Sequence, residues 1–309
     1  TYIDGVYLHN TSHLGGLFTA VNSDFIQKMT FFKSGFDARY GGRLASVTEI
    51  TTKDNFDSFF VTGNIGLITS KITTGVGLER IKTKVLYSGR RTYLELIQPL
   101  YENKITKNDN SLLGDGKRYY FYDNLFKTQT DLNAKNQLSF LYYQTLDSYK
   151  DGEGLATKNT KWENQLLGFQ WKSQLSNSLS SLLSFGKSSY QLNFNGSQFP
   201  YTYQFHNSYE TNTAKQVFKL LTEKQNIHFG AEYNSVKNLP RKVEGAIQDT
   251  PLLVENQQMY LYDDLSLFVD DNIQVTDLFK IKLGLRFTNF NGLCNVFEPR
   301  ISSNYQFLP

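Results

Sequence analysis

Two histidines, His9 and His13, stand four residues apart near the start of the chain. On a helix that spacing would set both imidazoles on one face, where they could share a metal ion. The intervening Asn10-Thr11-Ser12 and the following Gly15-Gly16 read as loop, with no acidic or cysteine ligand nearby. No metal is expected there. Asn108-Asp109-Asn110 and Asp151-Gly152-Glu153-Gly154 offer oxygen donors, but not at the spacing of a calcium loop. Gly186-Lys187-Ser188 has the tail of a phosphate-binding loop, yet Ser181 stands where its leading glycine belongs. Neither Gly-x-Ser-x-Gly nor His-Glu-x-x-His occurs. Asp263-Asp264 and Asp270-Asp271 are close pairs, but adjacent residues of a strand face opposite sides. No catalytic residue, cofactor or enzyme activity is expected.

If the chain does no chemistry, its elements must position something else. Its 309 residues carry 32 basic and 29 acidic side chains, scattered without runs, for a net charge of +3. Nucleic-acid binders concentrate Lys and Arg, so no nucleic-acid partner is expected. The single cysteine, Cys294, excludes an internal disulfide framework and any multi-cysteine metal site. No stretch approaches the roughly 18 consecutive apolar residues of a spanning helix. Spanning strands leave a weaker trace and are compatible with the mean hydropathy of −0.43. The chain opens on Thr1-Tyr2-Ile3-Asp4-Gly5 with no initiator Met or signal segment, and it closes just after a strand-like run. Both ends read as cuts.

The first segment, to about residue 56, mixes short apolar runs with glycines and holds one short helix around Ser23–Lys28, capped by Ser23 or Asp24. Thereafter the period is two. Ile281, Leu283, Leu285 and Phe287 alternate with Lys282, Gly284, Arg286 and Thr288, and Leu167, Phe169 and Trp171 alternate with Gly168, Gln170 and Lys172. Ile227, Phe229, Ala231 and Tyr233 do the same. Short polar turns fall near Thr130–Asn133, Leu175–Ser178, Glu223–Asn226 and Val275–Asp277. Longer polar loops are expected at Asn103–Lys117, Asp147–Lys161, Asn193–Gln204 and Lys237–Asn256. The alternation repeats every roughly 45 residues, the length of two strands, a tight turn and a long loop. About ten to twelve strands follow Asp57.

This is the plan of an up-and-down membrane barrel. A soluble sandwich or propeller would alternate equally, with its apolar side inward. Regular loop alternation argues against it, as do aromatics crowding near strand ends at Tyr119–Tyr122, Tyr142–Tyr143, Tyr201–Phe205 and Tyr260–Tyr262. Such rings favour the headgroup level of a bilayer.

Tyr2-Ile3-Asp4-Gly5-Val6-Tyr7, Asn10 to Phe18 and Phe25 to Phe36 resemble the middle of a TonB-dependent receptor plug. Ala38-Arg39-Tyr40-Gly41-Gly42-Arg43 through Lys53 resembles the most distinctive plug stretch of that family. Gly89 to Leu94, Leu267 to Asn272, Gly284 to Arg286 and Glu298 to Arg300 resemble its barrel strands. The resemblance covers the chain with gaps at the long loops. It implies residues 1–56 as the C-terminal part of an α+β plug. Residues 57–309 would then form the N-terminal half of a mainly β, transmembrane, antiparallel barrel of about 22 strands.

The resemblance further implies TonB-dependent import of a scarce bulky solute across the Gram-negative outer membrane. The partners would be TonB with its inner-membrane energising complex, reached through a segment missing here, outer-membrane lipid and the solute. A surface lipoprotein is a further candidate. A secreted or surface β-sandwich, an adhesin, or a passive porin are the other readings. Gly41 and Gly42 read as a tight turn or close backbone approach. Arg39 and Arg43, with Tyr40 between them, would be plug–barrel contacts, Glu79 and Glu95 being candidate partners. His9 and His13 lie in a plug loop that could face ligand, and His13 fits the family pattern. Tyr142, Tyr143, Tyr201 and Tyr203 are bilayer anchors or substrate contacts at the outer mouth. His206 and His228 line a polar face.

Overall fold

The computed structural model describes residues 1–43, 45–97, 117–152, 156–247, 250–254 and 258–307. Its N-terminal segment forms short strands: β1 (Tyr2–Ile3), β2 (Val6–Tyr7), β3 (Ser12–His13), β4 (Phe18–Thr19), β5 (Ile26–Phe32) and β6 (Val47–Thr52). Four of them make a small sheet in the order β2-β1-β6-β5, in which β1 runs parallel to β6. The helix expected over Ser23–Lys28 is a single 3-10 turn, Ser23–Phe25. Its cap is Asn22, whose side-chain oxygen accepts from the Asp24 N–H at 3.1 Å. Pairing of β5 with β6 satisfies the backbone from Ile26 onward, so the helix has no reason to continue.

A second, 13-stranded sheet follows. It comprises β7 (Phe60–Ile65), β8 (Thr69–Leu78), β9 (Thr83–Thr92), β10 (Arg118–Asn133), β11 (Asn136–Asp151), β12 (Ala156–Gln174) and β13 (Leu179–Gln198). Then come β14 (Tyr201–Leu221), β15 (Gln225–Ile247), β16 (Thr250–Val254), β17 (Tyr260–Gln274), β18 (Phe279–Phe290) and β19 (Cys294–Tyr305). Strands pair antiparallel with their chain neighbours, except that β16 pairs only with β15 and sits off the main path.

The turns at one end are as short as expected, although the β10–β11 turn sits at residues 134–135, just beyond Thr130–Asn133. The other end corrects the reading of long loops. Much of Asp147–Lys161, Asn193–Gln204 and Lys237–Asn256 is strand, and β12 to β15 run for 19, 20, 21 and 23 residues. About ten residues suffice to cross a bilayer. Beyond that level both faces of a strand meet water, so apolar alternation stops while ladder hydrogen bonds carry the strand onward. Residues 103–116, which include Asn108–Asn110, lie outside the described residues, as do Glu153 and Gly154.

Alternation places the apolar residues on the outside. Trp171 is 44% exposed and Leu267 54%, while Asp270 and Arg286 on the opposite face are 1% and 2% exposed. A soluble sandwich would do the reverse. A wall that exposes its rings and buries its charges is built for lipid on one side and for a polar filling on the other. That filling is the N-terminal segment. Among the aromatic pairs, Tyr143 and Tyr119 turn inward and are buried against it, which corrects their assignment to a bilayer girdle.

Candidate functional site: the segment against the inner wall

The contact has three parts, each set by which residues alternation turns inward. In the first, Ile3, Val6, Leu8, Val21, Phe25 and Ile50 of the segment pack on Leu86, Leu125, Leu141, Tyr143 and Leu166 of β9 to β12. Val6 sits over two wall glycines: its Cγ2 is 2.9 Å from where a Cβ of Gly168 would stand and 3.3 Å from one at Gly186. Asn10 and Asn164 bond each other twice, at 3.0 and 3.2 Å. Asp4 accepts from Thr52 Oγ1 at 2.6 Å and pairs with Lys127 of β10 at 3.0 Å.

His13 closes this anchor. Fully buried, it stacks on Phe121 at 3.9 Å, with Nδ1 2.7 Å from Asp147 and Nε2 3.3 Å from Asp123. Arg90 also pairs with Asp123, at 2.7 Å, and Tyr119 donates to Asp147. Burial alone would lower the His13 pKa, but hydrogen bonds to Asp123 and Asp147 outweigh it and hold the imidazole above its ordinary value. His13 is thus a bridge from the segment to the wall and does not face open space.

The second part is the loop from Gly35 to Tyr40, gripped through its main chain by β14, β17, β18 and β19. Lys282 donates to the Gly35 carbonyl at 3.1 Å, and Arg300 to those of Phe36 and Asp37 at 3.4 and 2.5 Å. Arg286 donates to the carbonyl of Ala38 at 3.3 Å and Lys215 to that of Arg39 at 2.5 Å. Asp270 accepts from the N–H groups of Ala38 and Arg39 at 2.6 and 3.2 Å. Burial would raise the Asp37 carboxyl, but Arg39 and Lys282 more than offset it and hold it below its usual range.

The arginine pairing differs from expectation. Arg39 pairs within its own segment, with Asp37 at 2.9 Å and Glu49 at 3.7 Å. Tyr40 donates to the same Glu49 at 2.6 Å. Arg43 lies over the Tyr7 ring at 3.9 Å. Glu95 bonds Arg91 instead, and Glu79 begins the turn between β8 and β9. The loop offers carbonyls to Lys215, Lys282, Arg286 and Arg300 and N–H groups to Asp270, and these were the partners to find. Their signal was a charge at an inward position of a period-two strand. The two glycines also separate in role: Gly42 has φ +64, whereas a Cβ on Gly41 would fall on the Arg286 guanidinium.

The third part is a cluster of rings shared by the segment and the wall. His9 lies edge-on between Tyr7 and Tyr209, at 4.9 and 4.7 Å, and Tyr209 shares a 3.0 Å hydroxyl hydrogen bond with Tyr262. Burial first, and then the Arg43 charge, lower the His9 pKa to about 4, so it is neutral at pH 7. Its Nε2 is buried without a partner. Among the described residues no group of three or more His, Cys, Asp or Glu could hold a metal ion.

A polar-lined wall around a gripped segment has counterparts among solved structures. The outer-membrane transporter YddB from Escherichia coli superposes with a TM-score of 0.66 at 12% identity, over 96% of this chain and 48% of its own. The ferric enterobactin receptor PfeA from Pseudomonas aeruginosa gives 0.62 at 14%, over 93% and 47%. The siderophore receptor PiuA from Acinetobacter baumannii gives 0.56 at 13%, over 98% and 53%. The fold is that of a TonB-dependent outer-membrane receptor. The chain spans about half the length of these structures. No family model and no curated protein matches the sequence.

Proposed function

We propose that this chain is the C-terminal part of a plug (1–56) and the N-terminal half of a barrel (57–309), from a transporter that imports a bulky solute across the Gram-negative outer membrane with energy from TonB. The observation that carries the reading is the segment held inside the wall. A passive pore gains nothing from a filled lumen, whereas a pump needs a part that can be moved. Neighbours of the same fold include a ferric citrate transporter and a copper transporter, so their cargo does not specify the one carried here.

In this reading His9, Tyr7, Tyr209, Tyr262 and Arg43 meet the solute above the plug. Aromatic faces stack, and the guanidinium and the unpartnered imidazole nitrogen supply polar selectivity. Asp37–Arg43 is the plug turn that must leave the wall for passage. TonB, its energising complex, and any surface lipoprotein act through parts of the protein beyond these residues. Growth of cells carrying the intact gene, on defined iron and glycan sources, with and without TonB, tests the reading. Uptake should stop when TonB is removed; uptake unchanged by its loss would leave a passive channel.

A further inference from the structure

We infer that the short-turn mouth of the barrel is a binding site for a multiply charged oxyanion, a solute carrying phosphate or carboxylate groups. A cavity of about 730 Å³ opens there on the inner wall beneath the Arg39 loop. Lys82, Lys135, Lys172 and Lys219 line it with Arg39 and His228, and Asp131 is the one carboxylate among its described lining residues. Arg39 is committed to Asp37 and Glu49, but none of the four lysines has a carboxylate partner among the described residues.

The focus of the cavity is the pair Lys219 and His228, direct partners in the β14–β15 ladder. His228 is 9% exposed and its buried Nδ1 has no hydrogen-bond partner. A buried ring nitrogen without a partner is costly, and unpaired ammonium groups repel one another. An oxyanion at this point relieves the repulsion, accepting from Lys219 and Lys172 together beside the His228 ring that lines the cavity. Across the loop a second cavity of about 960 Å³ adds Lys224, Lys280 and Lys282, the last paired with Asp37, against Glu223 as the one carboxylate among its described lining residues. One sign of charge thus dominates the inner rim, and a cleft of this kind concentrates counter-ions. The inference rests on the import reading only for the direction in which an anion would pass.

The test is a titration of the intact protein in detergent with pyrophosphate at low salt, followed by calorimetry and by the ³¹P line width. Saturable binding is expected, weakened at least tenfold in K172Q/K219Q and several-fold in His228→Phe. Lys187→Gln should change nothing, since Lys187 faces the other side of the wall and pairs with Glu210. Unsaturable binding, competition by chloride mole for mole, or equal affinity in K172Q/K219Q would overturn the site. Neither TonB nor flux enters this measurement, so its failure is distinct from failure of the import reading.

Discussion

The segment is held to the wall at two places by different physics. From Ile3 to Phe25 the grip is apolar and shape-specific, with His13 locked between two buried carboxylates. From Gly35 to Arg39 the wall holds the main chain itself, through four cations and one aspartate. Apolar contact weakens little with salt and fails only when the surfaces part. A clamp of charges on carbonyls can be undone one bond at a time and replaced by water. In the import reading proposed above, the second region is the part suited to detach first, while the first stays as a pivot.

The largest expected effect comes from breaking the pivot. His13→Leu leaves Asp123 with Arg90 and Asp147 with Tyr119, but it strands part of two buried charges. Removing one partner from such a set costs about 3–5 kcal/mol. Limited proteolysis of the intact protein should then cut across Ile3–Phe25, at low and high salt alike. Protection equal to the parent would show that the apolar cluster alone suffices.

Asp270→Ala attacks the clamp. It leaves the N–H groups of Ala38 and Arg39 unpaired, at a cost of about 1–3 kcal/mol each if they stay dry. Cleavage should appear within residues 35–43 while Ile3–Phe25 stays protected, and raised salt should deepen it. If both regions open together, the two grips are one cooperative unit and the comparison fails.

How far the sequence foretold this contrast depends on which side of it is asked about. Period-two runs such as Leu283 to Phe287 gave the wall, and the stretch around Arg39–Arg43 gave the segment. Alternation alone did not reveal the ends of β12 to β15, because polar residues on both faces look like loop. The partners were harder. Arg39 and Arg43 draw attention as charges in need of acids, yet their neighbours are Asp37, Glu49 and tyrosine rings. The wall cations that do the gripping bind carbonyls, which every residue has and no sequence marks. His13 was legible as a residue of the fold, but its two carboxylates lie 110 and 134 positions away.

A smaller effect separates His9 from His13 by pH. The His13 pKa is raised, so its contribution is complete below about 6.5 and is lost as pH rises through the higher folded value. The His9 pKa is lowered to about 4 from 6.5, so the folded state resists its proton. Docking should weaken as pH falls through that window. Protection of Ile3–Phe25 against protease, measured across pH, should fall on both sides. His9→Phe should remove the acid-side loss and leave the alkaline one. A profile unchanged by His9→Phe would mean that His9 does not set the acid-side loss.

The finest test lies in two adjacent glycines of the clamp. Gly42 has φ +64 with nothing within 4 Å of an added Cβ, so Gly42→Ala meets only backbone strain, about 1–2 kcal/mol. Gly41 has no positive φ, but its Cβ would displace the Arg286 guanidinium from beneath the loop. Gly41→Ala should therefore weaken the grip on Ala38 and raise cleavage at 35–43, whereas Gly42→Ala should lower the melting temperature slightly without changing the cleavage pattern. Adding Arg286→Lys, with its shorter head group, should restore part of the protection in Gly41→Ala and none in Gly42→Ala. Equal behaviour of the two glycines would place the turn's conformation, and not the cation beneath it, in control of the clamp.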